Sequence, residues 1–177
     1  VEKAILNLKK KDLLSLESLY GLAPEALAHE IRPAGYYNIK ARRLKNLMEF
    51  VMTQYQGDLE ALKQEALPTL RQGLLSVNGV GPETADSILL YALQRAVFVV
   101  DAYTHRILIR HAMADEQATY QDLQELFVMH LPDDPSLYNE FHALIVQAGK
   151  HYCRKKPLCE SCPLKTWGNI PVASDLR

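Results

Sequence analysis

The chain has 177 residues, 48% of them hydrophobic and 23% charged, the balance of a folded globular protein and the length of one domain or two small ones. Its longest apolar run, residues 88–93, is far shorter than the ~20 residues that cross a bilayer, and three cysteines are too few for a disulfide scaffold. A net charge of −1 excludes a global basic field, so contact with nucleic acid has to come from local patches. No basic-then-apolar leader opens the chain, so secretion is not expected. Taken in order, Val1, Ala4, Ile5 and Leu8 keep helical spacing from the first residue, and a helix entered in mid-pattern predicts a missing upstream part. Pro24 opens a short helix to about Glu30. Residues 39–56 read as a long helix closed by Gly57, and 58–66 as another. Pro68 opens a helix that ends near Asn78-Gly79. Pro82 opens the next, with an apolar stripe of Ala85, Ile88, Leu89, Ala92 and Leu93. Residues 97–100 are a buried or extended linker. Asp101 and Thr119 can cap helices that run to about Met113 and Leu131. Leu137, Phe141, Leu144, Ile145 and Ala148 mark the last long helix. Beyond Pro157 the residues suit a loop. The spacing thus predicts an all-α chain of about nine helices.

Leu74 to Ala85 is the most informative stretch. Gly79 and Gly81 flank Val80 between two predicted helices. Glycine reaches positive φ and lets a backbone come close. A helix starting at Pro82 would present free N–H groups beside the glycines, which is a geometry for phosphate. A tight helix–helix turn would use the same residues.

Asn78-Gly79-Val80-Gly81, then Thr84-Ala85, Val100-Asp101 and a terminal cysteine cluster follow one another at characteristic spacing. In this order the chain resembles the helix-hairpin-helix DNA glycosylases of the endonuclease III superfamily. The resemblance implies two helical subdomains with a DNA-binding cleft between them and an N-terminal part that this chain lacks. The corresponding division is residues 1–97, carrying the hairpin at about 68–95, and residues 98–177, carrying the cysteine loop at 153–168. Gly79, Val80, Gly81 and Thr84 would then contact DNA.

By the same resemblance Asp101 matches the catalytic aspartate. Loss of a base passes through a cationic sugar, which a carboxylate stabilises while it helps to activate water. An N-cap aspartate would look the same in sequence. Bifunctional members carry a lysine just before Thr-Ala. Here that position is Glu83, which cannot form an imine. The expectation is a monofunctional glycosylase with water as nucleophile and no lyase step. Glu83, together with Arg32-Pro33-Ala34-Gly35-Tyr36-Tyr37-Asn38, resembles the 3-methyladenine DNA glycosylase III branch, which removes alkylated purines. Their positive charge suits an aromatic pocket.

Base extrusion leaves a gap in the duplex to be filled. Tyr36 matches the family's wedge, with Asn38 beside it; Tyr37 reads better as a packing residue. Lys40, Arg42, Arg43 and Lys45 follow directly. Lys150, Arg154, Lys155 and Lys156 form a second basic cluster, and Arg106 and Arg110 a third. Of these, Lys40, Arg43, Arg154, Lys155 and Lys156 are the candidate phosphate contacts.

Cys153, Cys159 and Cys162 carry a thiolate metal pattern for iron–sulfur or zinc. The resemblance implies four cysteines around a [4Fe–4S] cluster, but the fourth position is Gly168. His151 is the nearby substitute. A cluster, zinc and a metal-free loop all stay open. The expected partner is double-stranded DNA holding a damaged base, bound by a monomer away from any membrane, in the cytoplasm at the bacterial nucleoid. A bifunctional glycosylase/lyase of endonuclease III type and a non-catalytic hairpin remnant are the alternatives.

Overall fold

The computed structural model describes residues 1–167. Among them there is no strand, and ten α-helices follow one another with short 3₁₀ and π turns. The contacts divide the chain into residues 1–81 and 82–177. The sequence places that boundary at 97/98. The stretch between the two positions packs with the helices C-terminal to it. Leu90, Phe98, Val99 and Val100 sit in one core with Ile107, Phe127 and Tyr138.

In the first unit, α1 (Glu2–Lys10), α2 (Leu16–Gly21), α3 (Pro24–Glu30) and α4 (Tyr37–Tyr55) precede α5 (Leu59–Gln64) and α6 (Leu67–Ser76). Ala4, Leu8, Leu19, Leu27 and Ala41 form a core there. The helix α2 has no counterpart in the sequence reading. It is only six residues long, too short for a clear period, and is set by Ser15, whose Oγ accepts the Ser18 N–H at 3.1 Å. Lys45 donates to the carbonyls of Leu19, Tyr20 and Leu22, closing the C-terminal end of α2.

In the second unit, α7 (Pro82–Ser87) widens into a π turn over Ile88–Ala92. The single helical stripe expected across 82–93 is therefore broken. Leu89 and Leu90 are both buried and Ala92 is exposed, because the wider turn advances the register by one residue. Then come α8 (Ala102–Arg110), α9 (Tyr120–Val128) and α10 (Pro135–His151). Asp101 caps α8, Thr119 and Asp122 form a capping box on α9, and Asp134 caps α10. Segment 97–100 has no helical partners, and side chains help to satisfy its backbone. Gln124 donates to the Phe98 carbonyl at 2.6 Å, and the Tyr120 hydroxyl accepts from Val100 N–H at 3.3 Å. Both side chains also donate to buried Asp86.

Helices α8 and α10 lie close because Gly149 has no side chain. A Cβ there would fall 2.4 Å from Tyr103 Cδ1. We expect Gly149→Ala to cost about 1–3 kcal/mol by overpacking, read as a lower urea midpoint at unchanged m-value.

Candidate active site

Asp101 ends the buried run 97–100 and caps α8, with its side chain 12% exposed. Its two oxygens do different things. Oδ1 accepts from Tyr103 N–H at 2.9 Å, Thr104 N–H at 2.8 Å and the Thr104 hydroxyl at 3.0 Å. Oδ2 has no such set. It faces His142 Nε2 at 3.6 Å, a charge contact longer than a hydrogen bond. The cap and a chemically available carboxylate oxygen therefore coexist in one residue. Burial alone would raise the Asp101 pKa. The His142 imidazole and the Thr104 N–H and hydroxyl outweigh that and lower it from 3.8 to about 2. The carboxyl group is thus ionised at neutral pH.

Glu83, on the first turn of α7, has its carboxyl pKa raised by partial burial and by the Asp101 charge, with His142 acting in the opposite sense. These three groups feel one another's fields. His142, from the middle of α10, and Tyr91, from the π turn, complete the surroundings; the Tyr91 hydroxyl contacts His142 Nδ1. Sequence reasoning passed over both. A histidine on an otherwise apolar helix face gives no signal by spacing. The π turn that changes the facing of Tyr91 is not visible to a 3.6-residue period.

The other expected site residues divide into available and engaged. Gly79 takes φ +95°, and a Cβ would lie 2.4 Å from Arg43 Cγ, so the missing side chain here makes room for an arginine of the same unit. Arg43 is thereby packed along the turn. Gly81 has open space around its Cα and is exposed, as is Thr84. Val80 is 8% exposed and plugs the core, so it offers only its backbone outward. The hairpin turn is further tied by Asn46, which donates to the Asn78 carbonyl at 2.8 Å.

Tyr36 is 85% exposed and left-handed at φ 48°, directly after Gly35 at φ 67°. Two successive positive φ values throw the ring outward ahead of α4. Lys40 donates to the Ala34 carbonyl at 2.7 Å and steadies that turn. Tyr37 packs against the first unit's core and Asn38 is exposed beside it.

Arg154, Lys155 and Lys156 are exposed on the loop after α10. That loop is held by arginines of α8. Arg106 Nε donates to the Cys153 carbonyl at 2.6 Å and Arg110 Nη1 to the Arg154 carbonyl at 2.6 Å. Arg110 also donates to Cys153 Sγ at 3.3 Å. Arg106 and Arg110 are thus loop staples. Among the described residues no three His, Cys, Asp or Glu side chains converge on a point that could hold a metal. Cys153, Cys159 and Cys162 are free thiols, and Cys153 Sγ accepts from the Arg110 guanidinium. The described donors, His151 included, do not fit a [4Fe–4S] group or zinc. Gly168 lies outside the described residues. A cavity of about 500 Å³ between α8 and α10 is lined mainly by apolar side chains such as Ile107, Phe141, Leu144, Ile145 and Trp167. The ionisable cluster lies instead around Asp101.

Among the described residues no helix is long and apolar enough to cross a membrane. A family model described as HhH-GPD superfamily base excision DNA repair protein matches residues 1–132. The chain is 50% identical over 167 residues to a candidate DNA repair glycosylase of Methanocaldococcus jannaschii, covering 93% of this chain and 76% of that one. It is 27% identical over 160 residues to endonuclease III of Sulfolobus acidocaldarius, covering 85% and 69%. Among solved structures it is similar to the H. pylori 3-methyladenine DNA glycosylase MagIII, there bound to 1,N6-ethenoadenine. The TM-score is 0.71 at 30% identity, covering 84% of this chain and 75% of that one. An endonuclease III–DNA complex shares the fold at TM-score 0.77 and 23% identity, covering 94% and 73%.

Proposed function

Because the chain belongs to the HhH-GPD superfamily of base excision DNA repair proteins, we propose that it is a monofunctional DNA glycosylase that hydrolyses the N-glycosidic bond of alkylated purines in double-stranded DNA. One observation carries the reading most. Asp101 keeps Oδ1 for its helix and leaves Oδ2, ionised, without a hydrogen-bond partner. A fixed anion of that kind stabilises the sugar cation as the base departs and orients the water that replaces it. An alkylated purine already carries positive charge, so its bond breaks with modest help. Its chemistry matches the substrate class named for the H. pylori relative.

By the family resemblance, Glu83 stands where bifunctional members carry their lysine. A carboxylate cannot attack the sugar to form an imine, so strand cleavage has no nucleophile there. The raised pKa of Glu83 suits a group that shares a proton with water rather than one that forms a covalent bond. DNA would be met by the backbone at Gly79, Val80 and Gly81, by Thr84, by Asn38 and the exposed Tyr36 ring, and by Lys40, Arg43, Arg154, Lys155 and Lys156. Each phosphate contact would add to the salt dependence of binding.

Incubation with methylated duplex DNA is expected to release free methylated purine and leave abasic sites uncut. Borohydride added during turnover should trap no protein–DNA adduct. A covalent adduct would overturn the monofunctional claim. Salt-sensitive binding with no released base would reduce the chain to a DNA-binding module.

A further inference from the structure

We propose that His142 is a positioning residue for Asp101, an imidazole whose proton the Tyr91 hydroxyl keeps on Nε2 so that a donor always faces the carboxylate. The proposal rests on the reading of Asp101 as the carboxylate that acts on the sugar. His142 is 9% exposed on α10. Its Nδ1 meets the Tyr91 hydroxyl. Its Nε2 is buried, has no hydrogen-bond partner, and stands 3.6 Å from Asp101 Oδ2. A buried, unpaired ring nitrogen is costly unless it has work at that place.

The tautomer is set by the neighbours. Burial and the Asp101 charge raise the Tyr91 pKa, so the group is a phenol with a proton to give. If Tyr91 donates to Nδ1, the neutral ring must carry its hydrogen on Nε2, directed at Oδ2. The opposite tautomer would set a bare nitrogen lone pair against a carboxylate, which is repulsive. Protonation of the ring keeps the same Nε2–H. In either state the Asp101 carboxylate sees a donor, and a closure of less than ~1 Å makes it a hydrogen bond. The other ionisable group in this surround is Glu83 on α7. Arg106 and Arg110, on the neighbouring helix, are spent on the loop carbonyls. Tyr91 lies within the π turn over Ile88–Ala92, and from there its hydroxyl reaches His142 Nδ1.

The test uses the full chain with histidine labelled at both ring nitrogens. At neutral pH, NMR should find His142 with its proton on Nε2, and Tyr91→Phe should weaken that preference; a proton on Nδ1 overturns the proposal. In His142→Phe, the Asp101 carboxyl should titrate at higher pH by carbon NMR, and single-turnover base release should fall about tenfold with DNA affinity unchanged. Because His142 acts through Asp101, His142→Phe should add nothing in an Asp101→Asn background. His142→Asn, which keeps one donor, should retain more activity than His142→Phe. Native rate and an unmoved Asp101 titration in His142→Phe would sink the idea even if base release itself is real. If the native chain releases no base at all, the glycosylase reading falls, while the tautomer and the titration still decide the role of His142. Should His142→Phe fail to fold, the tautomer in the native chain decides alone.

Discussion

Asp101→Asn should slow single-turnover release of methylated purine by about 10²–10³-fold, the scale seen when one preorganised electrostatic group is removed from a site of developing charge. Asparagine caps helices as well as aspartate does. It can still accept from Tyr103 N–H, Thr104 N–H and the Thr104 hydroxyl. The variant therefore separates the two oxygens' roles, keeping the cap and losing the charge. Its fold should survive, with a stability loss of about 2 kcal/mol for the lost charge interactions. A rate equal to that of the native chain would leave Asp101 as a cap and nothing more. The same residue gives a pH signature. Its folded-state pKa is depressed to about 2 from 3.8. The stability it contributes is complete above about pH 4 and is lost as pH falls through about 2. The difference in unfolding free energy between the native chain and Asp101→Asn should shrink over that window.

The largest effect on stability is expected at Phe98. Its ring is fully buried, stacked on Phe127 at 3.9 Å and edge-on to Tyr138 at 5.4 Å and Phe141 at 6.0 Å. Phe98→Ala removes the hub of that aromatic cluster and should cost about 3–5 kcal/mol. A domain is commonly stable by only about 5–15 kcal/mol, so urea denaturation should show a large drop in midpoint. The effect reaches the site, because Phe98, Val99 and Val100 lead directly into Asp101. A midpoint within error of the native chain would mean that the aromatic cluster does not anchor this segment.

Much of this architecture is legible in one dimension. Helical spacing and proline starts mark α3, α4 and α8 to α10 because those helices bury one face, and a 3.6-residue period records which residues are buried. Caps at Asp101 and Thr119 are local, so the residue type and its place suffice. The motif order around Gly79, Thr84 and Asp101 points to the superfamily, as the family match bears out. Where the period fails, the cause is specific. The π turn at Ile88–Ala92 inserts a residue, α2 is too short to show a stripe, and Arg43 lies against Gly79 although 36 positions separate them in the numbering.

What the sequence determined by itself is the helical class, the hairpin, an aspartate at the head of a helix and a glutamate just before Thr84-Ala85. These come from residue type, short-range spacing and chain order. Only the tertiary structure decided which oxygen of Asp101 is left over, which histidine and tyrosine stand behind it, and which arginines hold the described cysteine loop. Those outcomes depend on side chains brought together from distant helices. Distance, burial and the local field set their chemistry, and none of the three is a property of a residue's neighbours in sequence.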